Sequence, residues 1–212
     1  MAVVTISRKF GAGGRTLARM VAERLGYTFA DREIILRLAE TARVSPHWVE
    51  SFEKEAGSRI SRLISSMIAK KWVDQVLKDE RGYLDEQSYL DYLVLIIAQI
   101  ADEGDVVLLG RGSQYILDDH PDACHVLLTG DVDNRIKFMC EHYQISEHKA
   151  AQTVASEDRR RASLYSRLGK SNFDDPLLYH LVLNMGRLGM ESACDLICHL
   201  VETQTQKIAV KS

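Results

Sequence analysis

The sequence predicts an α/β fold: three layers, with helices on both faces of a parallel sheet, plus a helical insert. Three observations predict it. Short apolar segments alternate along the chain with stretches of helical periodicity. Those segments are continuously apolar, the pattern of strands buried on both faces. The residues suited to chemistry fall just beyond their carboxyl ends: Gly11 to Thr16, Asp31, Gly110-Arg111 and Asp131. Open parallel sheets bind ligands along that edge.

Taken in order, Ala2 to Ser7 is a short β-rich run and is expected as a buried strand. Leu17, Ala18, Val21, Ala22 and Leu25 recur at helical spacing, so a helix is expected from about Arg15, with Gly26 as its stop. Tyr27 to Ala30 is a second short strand, and a helix is expected over 32–42. Ser45-Pro46 has the form of an N-cap followed by proline in the first turn. Residues 47–103 are helical in pattern, with stripes Ile60, Leu63, Ile64, Met67, Ile68 and Tyr89, Leu93, Ile96, Ile97, Ile100 parted near Arg81-Gly82. Strands follow at Val106 to Leu109 and His125 to Leu128, helices at Asn134 to His142 and Glu147 to Leu168. A last strand, Tyr179 to Leu183, and a closing helix, Gly189 to Thr203, complete the chain.

The 212 residues suffice for one domain, with 45–103 as a helical insert and 147–172 as a separate helical region. Hydrophobic residues make up 46% and charged residues 27%, enough to bury a core. The net charge of −3 gives no reason to expect nucleic acid or an anionic membrane as partner. Cys124, Cys140, Cys194 and Cys198 match no zinc spacing and are expected as packed thiols. No secretory signal opens the sequence, and no apolar run reaches the roughly 20 residues that cross a bilayer. A reduced, soluble, cytoplasmic protein is expected. The apolar stripes between 60 and 100 suit either helix-mediated homodimerisation or an intrachain core.

The segment VTISRKFGAGGRT carries the most chemistry. Gly11, Gly13 and Gly14 let the backbone turn tightly with several N–H groups inward, and a helix begins directly after. Its positive end faces the same point. Arg8, Lys9 and Arg15 bring cations to it, so a chain of phosphates is the natural occupant.

Aligned by its glycines, this segment resembles the phosphate loop of bacterial cytidylate kinases, I-D-G-x-x-G-[AS]-G-K-G-T. Gly11, Ala12, Gly13 and Thr16 match; Gly14 stands in the lysine's place and Arg8 in that of the first glycine. With its S-R-x-x-G-[AS]-G-G form the chain is identified as a member of the cytidylate kinase-like proteins, within the P-loop nucleoside monophosphate kinases. The resemblance covers the first strand and helix, 27–35, 106–135 and 158–200, and is loose over 47–103. It implies a P-loop kinase fold, ATP and Mg²⁺ as donor and cofactor, and a small phosphate acceptor. Gly11, Ala12, Gly13, Gly14, Arg15 and Thr16 would then hold the donor, with the Thr16 hydroxyl near the metal. Arg15 by proximity, and Arg8 second, are the candidates to replace the lysine with a planar guanidinium.

On the acceptor side, Asp31 keeps the acid of the family's second strand, though it suits an N-cap equally. LLGRGSQYILDDHPDACHVLLTGDVDNRI resembles the kinase stretch G-R-D-x-G followed by a later arginine. Arg111 matches as a phosphate contact, Arg135 is the later arginine near the lid and donor base, and Gly112 replaces an acid that helps hold the acceptor. In the run Ser156 to Arg161, Asp158 and Arg161 match the second half of the lid pattern R-D-x-x-D-x-x-R, while Val154 occupies the leading arginine's place. The resemblance makes Arg161, then Arg159, the lid arginines that close on the transferring phosphoryl, and Asp158 an acceptor-side residue. The expected activity is phosphorylation of a nucleoside monophosphate of the CMP or dCMP kind. The alternatives are a kinase of another small acceptor and a nucleotide-binding regulator without turnover.

Overall fold

Five strands form the sheet of the computed structural model, which describes residues 2–31, 86–167 and 172–209. They are β1 (Val3–Arg8), β2 (Thr28–Ala30), β3 (Val106–Leu109), β4 (Ala123–Thr129) and β5 (Leu181–Asn184), ordered β2-β3-β1-β4-β5 and parallel. Valine, isoleucine and leucine dominate β1, β3 and β4, whose branched side chains pack well on a pleated surface. β1 is central. It pairs Val3 with Val106 on one side and with Ala123 on the other.

The two faces of β1 differ in chemistry. Val4 and Ile6 point into the main core with Leu17, Ala18 and Val21 of α1 (Gly14–Leu25) and Ala193, Cys194 and Ile197 of α6 (Met190–Ala209). Burying a side chain such as Ile6 stabilises by about 1.5–3 kcal/mol. Thr5 and Ser7 alternate to the other face, both almost fully buried, so each needs a hydrogen-bonding partner. Thr5 finds His125 Nδ1 at 2.7 Å, and Ser7 finds the Tyr165 hydroxyl at 3.2 Å. Tyr165 lies on α5 (Glu147–Arg167), and the short α3 (Ser113–Ile116) closes the same face with Gln114. α4 (Val132–Tyr143) packs on α5 through Met139, Ala150 and Val154.

By internal packing the chain divides into two compact units, 1–29 with 104–212, and 30–103. The described part of the second is chiefly α2 (Glu86–Glu103), whose Leu93, Ile96, Ile97 and Ile100 are buried as the stripe implies. The helices expected over 32–42 and 47–85, the stripe from Ile60 to Ile68 and the break at Arg81-Gly82 lie outside the described residues. Among the described residues no helix is long and apolar enough to cross a membrane. Cys124, Cys194 and Cys198 are buried free thiols, and burial pushes Cys124 and Cys198 up to about 12.

Some element ends differ from the periodicity reading, each for a local reason. α4 begins at Val132, not Asn134, because the Asp131 carboxylate accepts from the Asn134 amide at 2.8 Å and caps the helix earlier. β5 begins at Leu181, not Tyr179. A 3₁₀ turn at Pro176–Leu178, capped by Asp175, takes Tyr179 as its last residue.

Candidate active site

The loop after β1 is held from several directions. Lys9 donates its amide to Leu128 O at 3.0 Å, tying the loop to β4. Phe10 donates its amide to Asp158 Oδ1 at 3.2 Å, and its carbonyl accepts from Arg135 Nη1 at 3.0 Å. Asp158 Oδ2 and Arg135 Nη1 close the circuit as an ion pair at 2.7 Å. Gly11 sits at φ +81°, and a Cβ there would stand 2.8 Å from Arg135 O. Both conformation and space call for glycine.

Gly13, at φ 73°, is the N-cap of α1 and supplies no side-chain cap. The partial positive charge of the first-turn amides favours an anion. Ala12 and Gly14 are buried, while Arg15 and Thr16 are exposed on the first turn.

Gly14 needs glycine for a reason the sequence hides. It is the first residue of α1, with no left-handed backbone to demand it. A Cβ there would meet Arg8 Cγ at 2.8 Å, Arg8 Cβ at 3.2 Å and Arg8 Cδ at 3.3 Å. At Gly110 a Cβ would overlap Arg8 Nη1. The Arg8 side chain thus runs from the start of α1 across to the end of β3. Burial lowers its pKa, and nearby Arg161 and Arg111 lower it further against the opposing influence of Tyr165 and Glu157.

Arg111 is held in a left-handed backbone, φ 60°, between Gly110 at 75° and Gly112 at 73°. Such a run costs free energy in any arginine and collects at functional sites. Gly112 is also the N-cap of α3, so a positive φ, which glycine adopts freely, accounts for the residue in the place of the family's acid.

Arg161 reaches the same place from α5. It donates to Ser7 Oγ at 3.0 Å, pairs with Asp174 at 2.7 Å, and lies over the rings of Tyr165 and Phe173 at 5.1 and 4.8 Å. Burial opposes its charge, but Asp174 and Tyr165 outweigh burial and hold its pKa above the ordinary value. Lys9 stands 3.9 Å from the same Asp174. The Tyr165 hydroxyl accepts from Gln114 Nε2 at 3.1 Å, and Gln114 also reaches the Tyr179 hydroxyl at 3.3 Å.

The structure therefore brings Arg8, Arg111 and Arg161 together beside the loop. Arg135 and Asp158 form the clamp behind it. Arg159 and Arg160 are exposed, Arg160 pairing with Glu157 at 2.6 Å. Asp31 is buried directly after β2, with its own partner. Sequence reasoning did not single out Ser7, Gln114, Tyr165 or Asp174. Only Asp174 had a local signal, as one of two acids before Pro176.

The family model of the cytidylate kinase-like family matches residues 3–187. No curated protein matches the chain. Among solved structures, an uncharacterised protein from Eubacterium ventriosum ATCC 27560 is similar at 19% identity and a TM-score of 0.67, covering 95% of this chain and 98% of that one. A gluconokinase from Sinorhizobium meliloti 1021 is similar at 11% identity and a TM-score of 0.53, covering 100% and 97%.

Proposed function

The chain belongs to the cytidylate kinase-like family, and from that premise we propose that it is an ATP-dependent phosphotransferase acting on a nucleoside monophosphate of the CMP or dCMP kind. One observation carries the reading: three guanidinium groups, Arg8, Arg111 and Arg161, gather beside a glycine loop at a helix N-terminus. Like charges are driven together at a cost unless an anion offsets them. Asp174 offsets Arg161, and a donor phosphate chain meeting an acceptor phosphate would bring further anions beside Arg8.

Catalysis here is positioning and charge neutralisation. The loop amides of 11–16 hold the donor phosphates. Arg111, at the end of β3, receives the acceptor's phosphate, whose oxygen attacks without help from a protein base. Arg161, brought by the lid helix, neutralises the charge on the transferring group and helps exclude water. Asp31 is an acceptor-side contact, and Arg159 an auxiliary lid cation.

The residues suit magnesium as part of a metal–nucleotide complex. Thr16 offers one hydroxyl, and among the described residues no group of three or more His, Cys, Asp or Glu forms a cage. Mg²⁺ would be held by Thr16, water and the substrate's own phosphates, which fits its preference for retained water. Its chemistry there is to offset charge on the phosphates.

Gly112, where the family has an acid, favours a second reading in which the acceptor is another small molecule. The fold likeness to a gluconokinase makes gluconate one member of the panel. Purified protein is incubated with ATP, Mg²⁺, the nucleoside monophosphates and gluconate, and ADP is measured. ADP formation dependent on CMP or dCMP supports the reading. Dependence on another acceptor supports the second, and tight ATP binding with no turnover on any acceptor overturns both.

A further inference from the structure

We propose that Arg8, not Arg15, is the cation that grips the terminal phosphate of the donor, and that Gly14 is a glycine in order to seat it. The inference rests on the phosphotransferase reading and assigns the charge within it.

The two glycines bracket the side chain. Gly14 has no positive φ to explain it. The atoms that exclude a Cβ there are the Arg8 stem, Cβ, Cγ and Cδ, which cannot swing away as a chain end would. At the other end, Arg8 Nη1 fills the space over Gly110, one residue before Arg111. The guanidinium therefore stands between the turn that starts α1, where donor phosphates would sit, and the turn that presents Arg111. Arg15, by contrast, is exposed on the outer part of the first turn.

The electrostatic setting agrees. Arg161 and Arg111 are the like charges nearest to Arg8, and the groups that favour its charge are Tyr165 and Glu157. Arg161 has Asp174 for itself. A doubly charged phosphate between the guanidinium groups would relieve the repulsion. Set against the quoted loop pattern, Gly14 stands where it has lysine, while Arg8 and Arg15 stand where it has its first and last glycines, so an exchange of glycine and cation admits either arginine and the packing on Gly14 selects Arg8. The positive charge enters from the other end of the same loop, with a planar fork in place of an ammonium.

The test measures binding of magnesium tripolyphosphate and of the ATP analogue AMP-PNP with Mg²⁺ by calorimetry. It uses the full chain and the variants Arg8→Ala, Gly14→Ala, Arg15→Ala and Arg160→Ala, with thermal midpoints alongside. Arg8→Ala is expected to weaken both probes 100-fold or more, and Gly14→Ala at least 10-fold by displacing the Arg8 stem. Arg15→Ala is expected to have the smaller loss, and Arg160→Ala none. The thermal midpoint of Arg8→Ala is expected to hold or rise, since a repelled charge is removed; a residue of merely structural role would lower it. Combining Arg8→Gly with Gly14→Lys is expected to restore binding to within about 10-fold of the parent. If Arg8→Ala binds as the parent does, or Arg15→Ala loses more, the assignment to Arg8 is overturned while the phosphotransferase reading stands. If the parent binds neither probe, the functional reading itself is overturned.

Discussion

Asp158 holds Arg135 at 2.7 Å through one carboxylate oxygen and the amide of Phe10 at 3.2 Å through the other, so one side chain of α5 fixes both α4 and the phosphate loop. The 156–161 run and the loop are therefore mechanically joined. A carboxylate there organises the loop whether or not it touches an acceptor.

Asp158→Ala should leave a buried arginine unpaired and an amide without its acceptor. Removing one partner of a fully buried pair costs about 3–5 kcal/mol, and this pair is open to water on the Asp158 side, so about 2 kcal/mol is expected. Urea denaturation measures it. A loss under about 0.5 kcal/mol would show that the clamp contributes little.

Arg161→Ala should lower turnover by about 100-fold or more while substrate affinity changes less, if its charge acts mainly on the transferring group. Asp174→Asn, which keeps shape and removes the counter-charge, should lower turnover in the same direction by a smaller factor. Steady-state kinetics on the best acceptor read both. Equal losses in KM and none in kcat would assign Arg161 to ground-state binding only.

Tyr165→Phe removes a hydroxyl shared between Ser7 and Gln114 at a site with 1% exposure. About 1–2 kcal/mol of stability should go with it. Amide exchange along α5 should speed up relative to α1, because the lost bonds anchor α5 to β1. Uniform exchange rates in both helices would argue against that anchoring.

His125 gives the protein an acid-sensitive core. Burial, then neighbouring His180, pushes its pKa down from 6.5 to about 4, with His120 adding to the effect and Asp118 and a Leu117 backbone bond opposing it. The unfolded chain takes up the proton first. Stability is therefore full above about pH 6.5 and falls as the pH drops toward 4, by on the order of 3 kcal/mol. Urea midpoints at pH 7 and pH 4.5 should differ, and His125→Asn, which can still meet Thr5, should flatten the difference. An unchanged pH slope in the variant would remove His125 as its source.

The strands were legible because residues such as Val106 to Leu109 are apolar without interruption, and α1 because Leu17, Val21 and Leu25 keep helical spacing. Sheet order was not legible. Nothing local in Val3 to Arg8 states that it lies between β3 and β4. The i,i+3 relation of Asp158 and Arg161 was visible, but their division of labour was not. One meets Arg135 and the other Asp174, and both partners are distant in sequence. Gly14 was the least legible: the sequence shows that no lysine stands there, and only the structure shows the Arg8 stem against it. Ser7 and Gln114 gave no local signal because small or neutral polar residues gain their roles only from the partners that burial imposes.

Thr28 donates its amide to Asp105 O at 2.8 Å, so the start of β2 lies against the residue before β3, and the connection between these parallel neighbours must run from the carboxyl end of one to the amino end of the other. A tight turn cannot make that connection: parallel neighbours need a crossover of about a dozen residues or more. Shortening the chain between β2 and β3 below that span would therefore cost the sheet its β2 edge.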